Sequence, residues 1–125
     1  MADLTFYIET HQGILRVTAT GDLAFESTLR LLKHICDTAA EKQTTKILLN
    51  GLAVSGGLST LERYTLGVEI APYLARSLKN AKFALVGKPP AMDGFGVLVG
   101  QNRGANAEIF SNEQAALDWL GPFSD

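Results

Sequence analysis

The segment Lys46-Ile-Leu-Leu-Asn50, continued by Gly51-Leu-Ala-Val-Ser-Gly-Gly-Leu-Ser-Thr60, decides how this chain is built. Its first five residues hold the unbroken apolar run Ile47-Leu-Leu49 without alternation, the pattern of a short strand buried on both faces. Such a strand needs helices on each side of its sheet. Gly51 to Gly57 is expected to form a loop, and a helix is expected to open at Ser59 or Thr60. Glu62 stands three residues after Ser59, the spacing at which a serine and a glutamate cap a helix start reciprocally. Leu61, Tyr64 and Val68 are expected on the inner stripe of that helix. Pro72 has no backbone N–H and crowds the preceding turn, so a kink or break is expected near Val68–Ala71.

Upstream, Leu4, Phe6 and Ile8 alternate with polar neighbours, and Leu15, Val17 and Ala19 do the same. Two alternating runs across His11-Gln12-Gly13 read as a β-hairpin. Phe25, Leu29, Leu32, Cys36 and Ala39 then recur at spacings of three and four, an amphipathic helix over about Phe25–Ala40. Downstream come an apolar strand at Phe83–Gly87, an extended Lys88-Pro89-Pro90, a short helix over Phe95–Asn102 and a strand at Glu108–Phe110. Ser111-Asn-Glu-Gln114 has capping-box spacing before a last helix, which Gly121 and Pro122 stop. The order β-β-α-β-α-β-α-β-α predicts one α/β domain spanning residues 1–125. Its sheet of about five strands is mixed: an antiparallel N-terminal hairpin, then parallel crossovers, with about four helices.

Composition narrows the function classes. The chain has 125 residues, 46% of them hydrophobic, and a net charge of −2. That balance gives no electrostatic reason to bind nucleic acid, and no apolar run reaches the ~20 residues of a membrane span. The N-terminus lacks a basic stretch leading into an apolar run, so no secretory leader is expected and the default compartment is the cytoplasm. Cys36 is the only cysteine. It lies on an apolar helix face and is expected to be a buried, inert thiol. No cysteine-based metal site, no Ser/His/Asp order and no paired carboxylates stand out. No cofactor or metal is implied, and an enzyme is not expected.

The Gly-rich loop before Ser59 has no Lys before a Ser or Thr and is not a nucleotide-phosphate loop. Gly94-Phe-Gly-Val-Leu-Val-Gly100 misses the dinucleotide spacing and reads as the entry to a tightly packed short helix. His11 is expected at the hairpin tip and His34 on a solvated helix face. Ligands of open α/β sheets sit where parallel strands end, which here means the loops around Ser59 and Lys88–Gly94, with Glu62 and Asp93 as the nearest acids.

Taken together, these segments, from the hairpin to the terminal Glu113–Leu120 helix, resemble the STAS domains, and most of all their SpoIIAA-like branch of small bacterial proteins. The resemblance covers about residues 4–120. It implies a non-enzymatic regulatory or protein-interaction domain similar to the anti-sigma factor antagonists. In those proteins a serine in an Asp-Ser-Ser-Gly stretch opens the helix after the buried strand and is phosphorylated by an anti-sigma kinase. Here Ser59 and Thr60 fall at the two serine positions, with Leu58 and Leu61 in place of Asp and Gly. Asn50 replaces an acidic strand-end residue. The implied partner is a regulatory kinase or anti-sigma-like factor. It would meet Ser55, Ser59, Thr60 and Arg63, with Ser59 as a phospho-switch. The alternative is a small-ligand or lipid-binding domain. Its groove would run between the Ser59 helix start and the Lys88–Gly96 loop, using Tyr64, Lys88, Met92, Asp93 and Phe95. The first strand of the hairpin leaves a sheet edge that a homodimer would cover.

Overall fold

A computed structural model describes residues 3–121. The elements in chain order are β1 (Thr5–His11), β2 (Ile14–Asp22), α1 (Phe25–Lys42), β3 (Lys46–Ser55) and α2 (Thr60–Ser77). They continue with β4 (Lys82–Val86), α3 (Phe95–Asn102), β5 (Ala107–Phe110) and α4 (Glu113–Leu120). The strands form one sheet in the order β1-β2-β3-β4-β5. β1 and β2 are antiparallel, and β2, β3, β4 and β5 run parallel. This is the mixed sheet with four helices that the sequence pattern predicts.

The hairpin turns on Gln12 and Gly13, both at positive φ (52° and 80°). That backbone matches the right-handed twist of the flanking strands. The half-buried pattern expected of the first strand is not observed. Every β1 residue but Ile8 is exposed, because β1 is the edge of the sheet with a strand on one side only. His11 is exposed at the turn, and His34 is exposed with its ring 5.6 Å from that of Phe6.

β3 is longer than expected. Gly51–Ser55 does not loop out but stays in the strand: after a register shift between Thr18 and Thr20, Ala53, Val54 and Ser55 stand opposite Thr20, Gly21 and Asp22 of β2. The bulge lets the strand follow β2 to its end. The loop therefore shrinks to the few residues around Gly56–Leu58.

Helix α2 runs unbroken through Pro72. Leu66, Gly67, Ala71 and Leu74 are buried on both sides of the proline, and this packing outweighs one lost backbone hydrogen bond. The buried set also corrects the expected inner stripe: Leu61 and Tyr64 face outward, 72% and 42% exposed. The helix is rotated because Gly67 packs against α3. A Cβ at Gly67 would lie 2.7 Å from the Gly96 carbonyl oxygen and 2.8 Å from Val99 Cβ, so only glycine allows this close approach. At α4 the N-cap is Asn112, not Ser111. Its side chain accepts from the Ala115 N–H, while Gln114 bonds Asp118 instead of reaching back. Pro122 lies outside the described residues.

Two apolar cores flank the sheet. Leu15, Val17, Ile47, Leu49 and Phe83 meet Leu31, Ile35, Cys36, Ala39 and Leu74 on the side of α1 and α2. Ile14, Leu48, Ala84 and Val86 meet Ala116 and Leu120 of α4 on the other. Cys36 is fully buried, and burial, with Asp37 beside it, pushes its thiol up to about 12. It is not a nucleophile at neutral pH. No helix among the described residues is long and apolar enough to cross a membrane.

Candidate functional site

β4 ends at Val86, opposite Asn50, while β3 runs on beside β2 to Ser55, and the segments that follow the two strands meet at the first turns of α2. Ser59 caps that helix. Its Oγ accepts from the Glu62 N–H at 3.1 Å, and the Glu62 carboxylate accepts from the Ser59 N–H at 2.8 Å. The capping box visible in the sequence is therefore formed. Ser59 and Thr60 are both exposed. The carboxylates of Glu62 and Asp93 are thereby committed, Glu62 to the cap and Asp93 to Arg63.

Arg63, one turn further, ties the two loops together. Its Nε donates to the Leu58 carbonyl at 2.9 Å and one terminal nitrogen donates to the Pro90 carbonyl at 2.8 Å. The other terminal nitrogen lies 2.7 Å from Asp93 Oδ1. The Phe95 N–H, also bonded to Asp93, and the Arg63 guanidinium hold the Asp93 carboxyl below its ordinary range. Arg63 is mostly buried while Asp93 is half exposed. A guanidinium offers planar, forked donors that a lysine lacks, which suits a three-way strap of this kind.

Beneath the strap lies an apolar pocket of about 140 Å³. Leu49 and Phe83 of the sheet, Leu66 and Ala71 of α2, Val97 of α3 and Met92 contribute to its wall. Met92 lies against Gly51 in the middle of β3 and Gly87 just after β4. A Cβ on Gly51 or Gly87 would collide with its side chain, so those glycines are the notches that seat it.

The sequence-derived residues separate into groups. Arg63, Met92 and Asp93 line the pocket, whereas Tyr64, Lys88 and Phe95 are not among its lining residues. Tyr64 lies on the outer face of α2, where Arg103 stacks over its ring at 5.4 Å and donates to its hydroxyl at 3.1 Å. Lys88 is exposed. Ser55 ends β3 and its hydroxyl bonds Asp22, away from the Arg63 strap. Asn50 bonds Glu113, which also pairs with Arg16, on the α4 side. Several lining residues, Leu23, Ile70 and Ala91 among them, carry no sequence signal of a site, and one polar residue joins them. Thr28 of α1 lines the pocket, and its buried Oγ1 has no hydrogen-bond partner. The signal was available: Thr28 stands four residues before Leu32, on the apolar stripe of its helix.

The mixed sheet and its helices define the class: this is the α/β fold of the SpoIIAA-like domains. Solved structures share it, among them three with high coverage. An anti-sigma factor antagonist from Mycobacterium paratuberculosis is 19% identical with a TM-score of 0.67, covering 94% of each chain. A SpoIIAA-like protein from Shewanella loihica is 20% identical with a TM-score of 0.53, covering 96% of this chain and 95% of that one. The antagonist SpoIIAA in its unphosphorylated form is 16% identical with a TM-score of 0.55, covering 93% of this chain and 97% of its own. No family model matches the chain, and no curated protein matches it in sequence.

Proposed function

We propose that this protein is a regulatory protein-interaction domain whose partner docks on the start of α2. The observation that carries the reading is the composition of that surface. Two exposed hydroxyls, Ser59 and Thr60, adjoin two outward-facing apolar residues, Leu61 and Tyr64. Large apolar side chains clustered on a helix face beside polar groups are a common composition of partner surfaces. The likeness in fold to two anti-sigma factor antagonists supports the same reading.

Ser59 is the switch in this proposal. A phosphate there adds about −2 charge at a helix N-terminus, where the helix dipole favours it. It would stand against the Glu62 carboxylate, which now bonds the Ser59 N–H. Modification thus breaks the capping box and changes the charge of the docking surface in one step. A kinase and an anti-sigma-like factor are the partners of this reading. Its oligomer is a homodimer joined through β1, supported by the exposure of that edge strand.

The test is partner capture from the source cell with wild type, Ser59→Ala, Ser59→Asp and Leu61→Asp, compared by quantitative mass spectrometry. One partner retained by Ser59→Ala and lost by both Asp variants is expected. Identical partner sets for all four forms would overturn the reading. Sedimentation equilibrium measures the dimer.

A further inference from the structure

We infer that β1 pairs antiparallel with β1 of a second copy about a two-fold axis at Tyr7, so that two sheets become one continuous sheet. This register deepens the β1-joined dimer of the proposed function and rests on it: it says which residues meet.

The first observation is which edge is open. The sheet ends in β1 and β5. β5 has only four residues, none of them fully exposed. β1 has seven, follows β2 without a bulge, and carries neither proline nor lysine. Those are the usual devices that blunt a sheet edge. β1 also presents two large side chains, Phe6 and Tyr7, 42% and 60% exposed.

The second is the backbone. The two-residue turn at Gln12 and Gly13 closes with the Ile14 N–H donating to the His11 carbonyl. Bonded and non-bonded pairs alternate along an antiparallel ladder. Thr5, Tyr7, Glu9 and His11 therefore spend their backbone groups on β2, while Phe6, Ile8 and Thr10 point theirs out of the sheet. A second copy can bond only through this outward set, which puts a two-fold axis on a residue and never between two. The central choices are Tyr7, Ile8 and Glu9.

The third is what each choice brings together. An axis at Glu9 sets that carboxylate against its own copy, and like charges directly opposite are destabilising. An axis at Ile8 sets Phe6 against Thr10 and Tyr7 against Glu9, leaving both rings beside polar neighbours. An axis at Tyr7 stacks the two tyrosines and sets each Phe6 against Ile8 of the other copy. Aromatic–aromatic and aromatic–β-branched pairs are the favourable ones. The faces agree: Ile8 packs on the core beneath α1, and the Phe6 ring lies 5.6 Å from that of His34 of α1. The Phe6–Ile8 pairs would thus extend both cores across the axis.

The experiment is mild oxidation of the whole protein carrying Tyr7→Cys, Ile8→Cys or Glu9→Cys, read as linked dimer on non-reducing gels. Directly opposed non-bonded residues have Cα atoms about 4.5 Å apart, within the span of a disulfide. Cys36 is buried and stays out of the reaction. Tyr7→Cys should link and the other two should not. A link at position 8 or 9 as extensive as that at position 7 would overturn the register and leave the dimer standing. No link at any of the three would overturn pairing through β1, and a wild type that sediments as a monomer would overturn the dimer itself. Two further variants probe the contact. Ile8→Pro removes an outward N–H and no bond to β2, as an edge strand tolerates. Tyr7→Asp sets two carboxylates face to face and leaves the backbone alone. Each should abolish the dimer while the fold, read by circular dichroism, persists, and a dimer that survives both refutes the pairing.

Discussion

On the face covered by α4, Ile14, Leu48, Ala84, Val86, Ala116 and Leu120 are each exposed by 1% or less. On the face covered by α1, α2 and α3, comparable apolar residues surround an open volume of about 140 Å³. The two faces share the same strands, so the difference lies in the helices. α4 is a short helix, Glu113–Leu120, set directly on β3, β4 and β5. α2 instead leans on α3 through Gly67 and Gly96, and the space between that pair and the sheet is left for Met92 and Arg63 to close. A face packed to capacity holds the fold. A face with room left in it can do something besides.

The comparison can be broken by truncation. Leu48→Ala and Leu120→Ala should each cost about 3–4 kcal/mol, because the tight face has little freedom to collapse into the hole. Leu66→Ala, beside the pocket, should cost only about 2 kcal/mol, since its side chain already lacks neighbours on one side. Urea denaturation measures all three, and equal losses would refute the distinction.

Enlarging residues sharpens it from the other side. Ala84→Leu should destabilise by about 1–3 kcal/mol through overpacking. Ala71→Leu has the pocket to grow into and should change stability by less than about 1 kcal/mol. A comparable penalty at both sites would mean the pocket is not available space.

Ser59→Ala should lower stability by about 1 kcal/mol through loss of the cap, and Ser59→Asp, still able to accept from the Glu62 N–H, should restore part of it. Thermal unfolding of the two variants separates capping from partner binding.

The smallest effect concerns pH. Asp93 is held below its ordinary value of 3.8 in the folded protein. Its strap to Arg63 therefore contributes fully above that value and is lost as pH falls from there through the lowered pKa. Both groups sit near the surface, so Asp93→Asn should flatten the acid limb of the stability curve only slightly. An unchanged acid limb would show that the strap adds nothing to stability.

Much of the architecture was legible because it is local. Alternation marked the hairpin, the unbroken apolar run at Ile47–Leu49 marked a strand covered on both faces, and Ser59 with Glu62 marked the start of α2. Each follows from backbone geometry and from which side chains face water. The misreadings share a different cause. The stripe Leu61–Tyr64–Val68 has helical spacing, yet α2 turns Leu66, Gly67, Ala71 and Leu74 inward, because the approach to α3 through Gly67 sets its rotation. Gly51–Ser55 looks like a loop by composition and is a strand because β2 is there to pair with it. Pro72 should interrupt a helix in isolation, and burial on both sides of it keeps α2 whole.

The candidate site divides along the same line. Ser59, Arg63, Met92 and Asp93 could be named from the sequence because they flank strand ends and a helix start. Their joining by one guanidinium, the seating of Met92 over Gly51 and Gly87, and the volume beneath them depend on how two helices and two loops meet. Thr28 is the sharpest case. Its position on an apolar stripe is written in the chain, but whether a buried hydroxyl finds a partner depends on what the rest of the fold brings within reach of it.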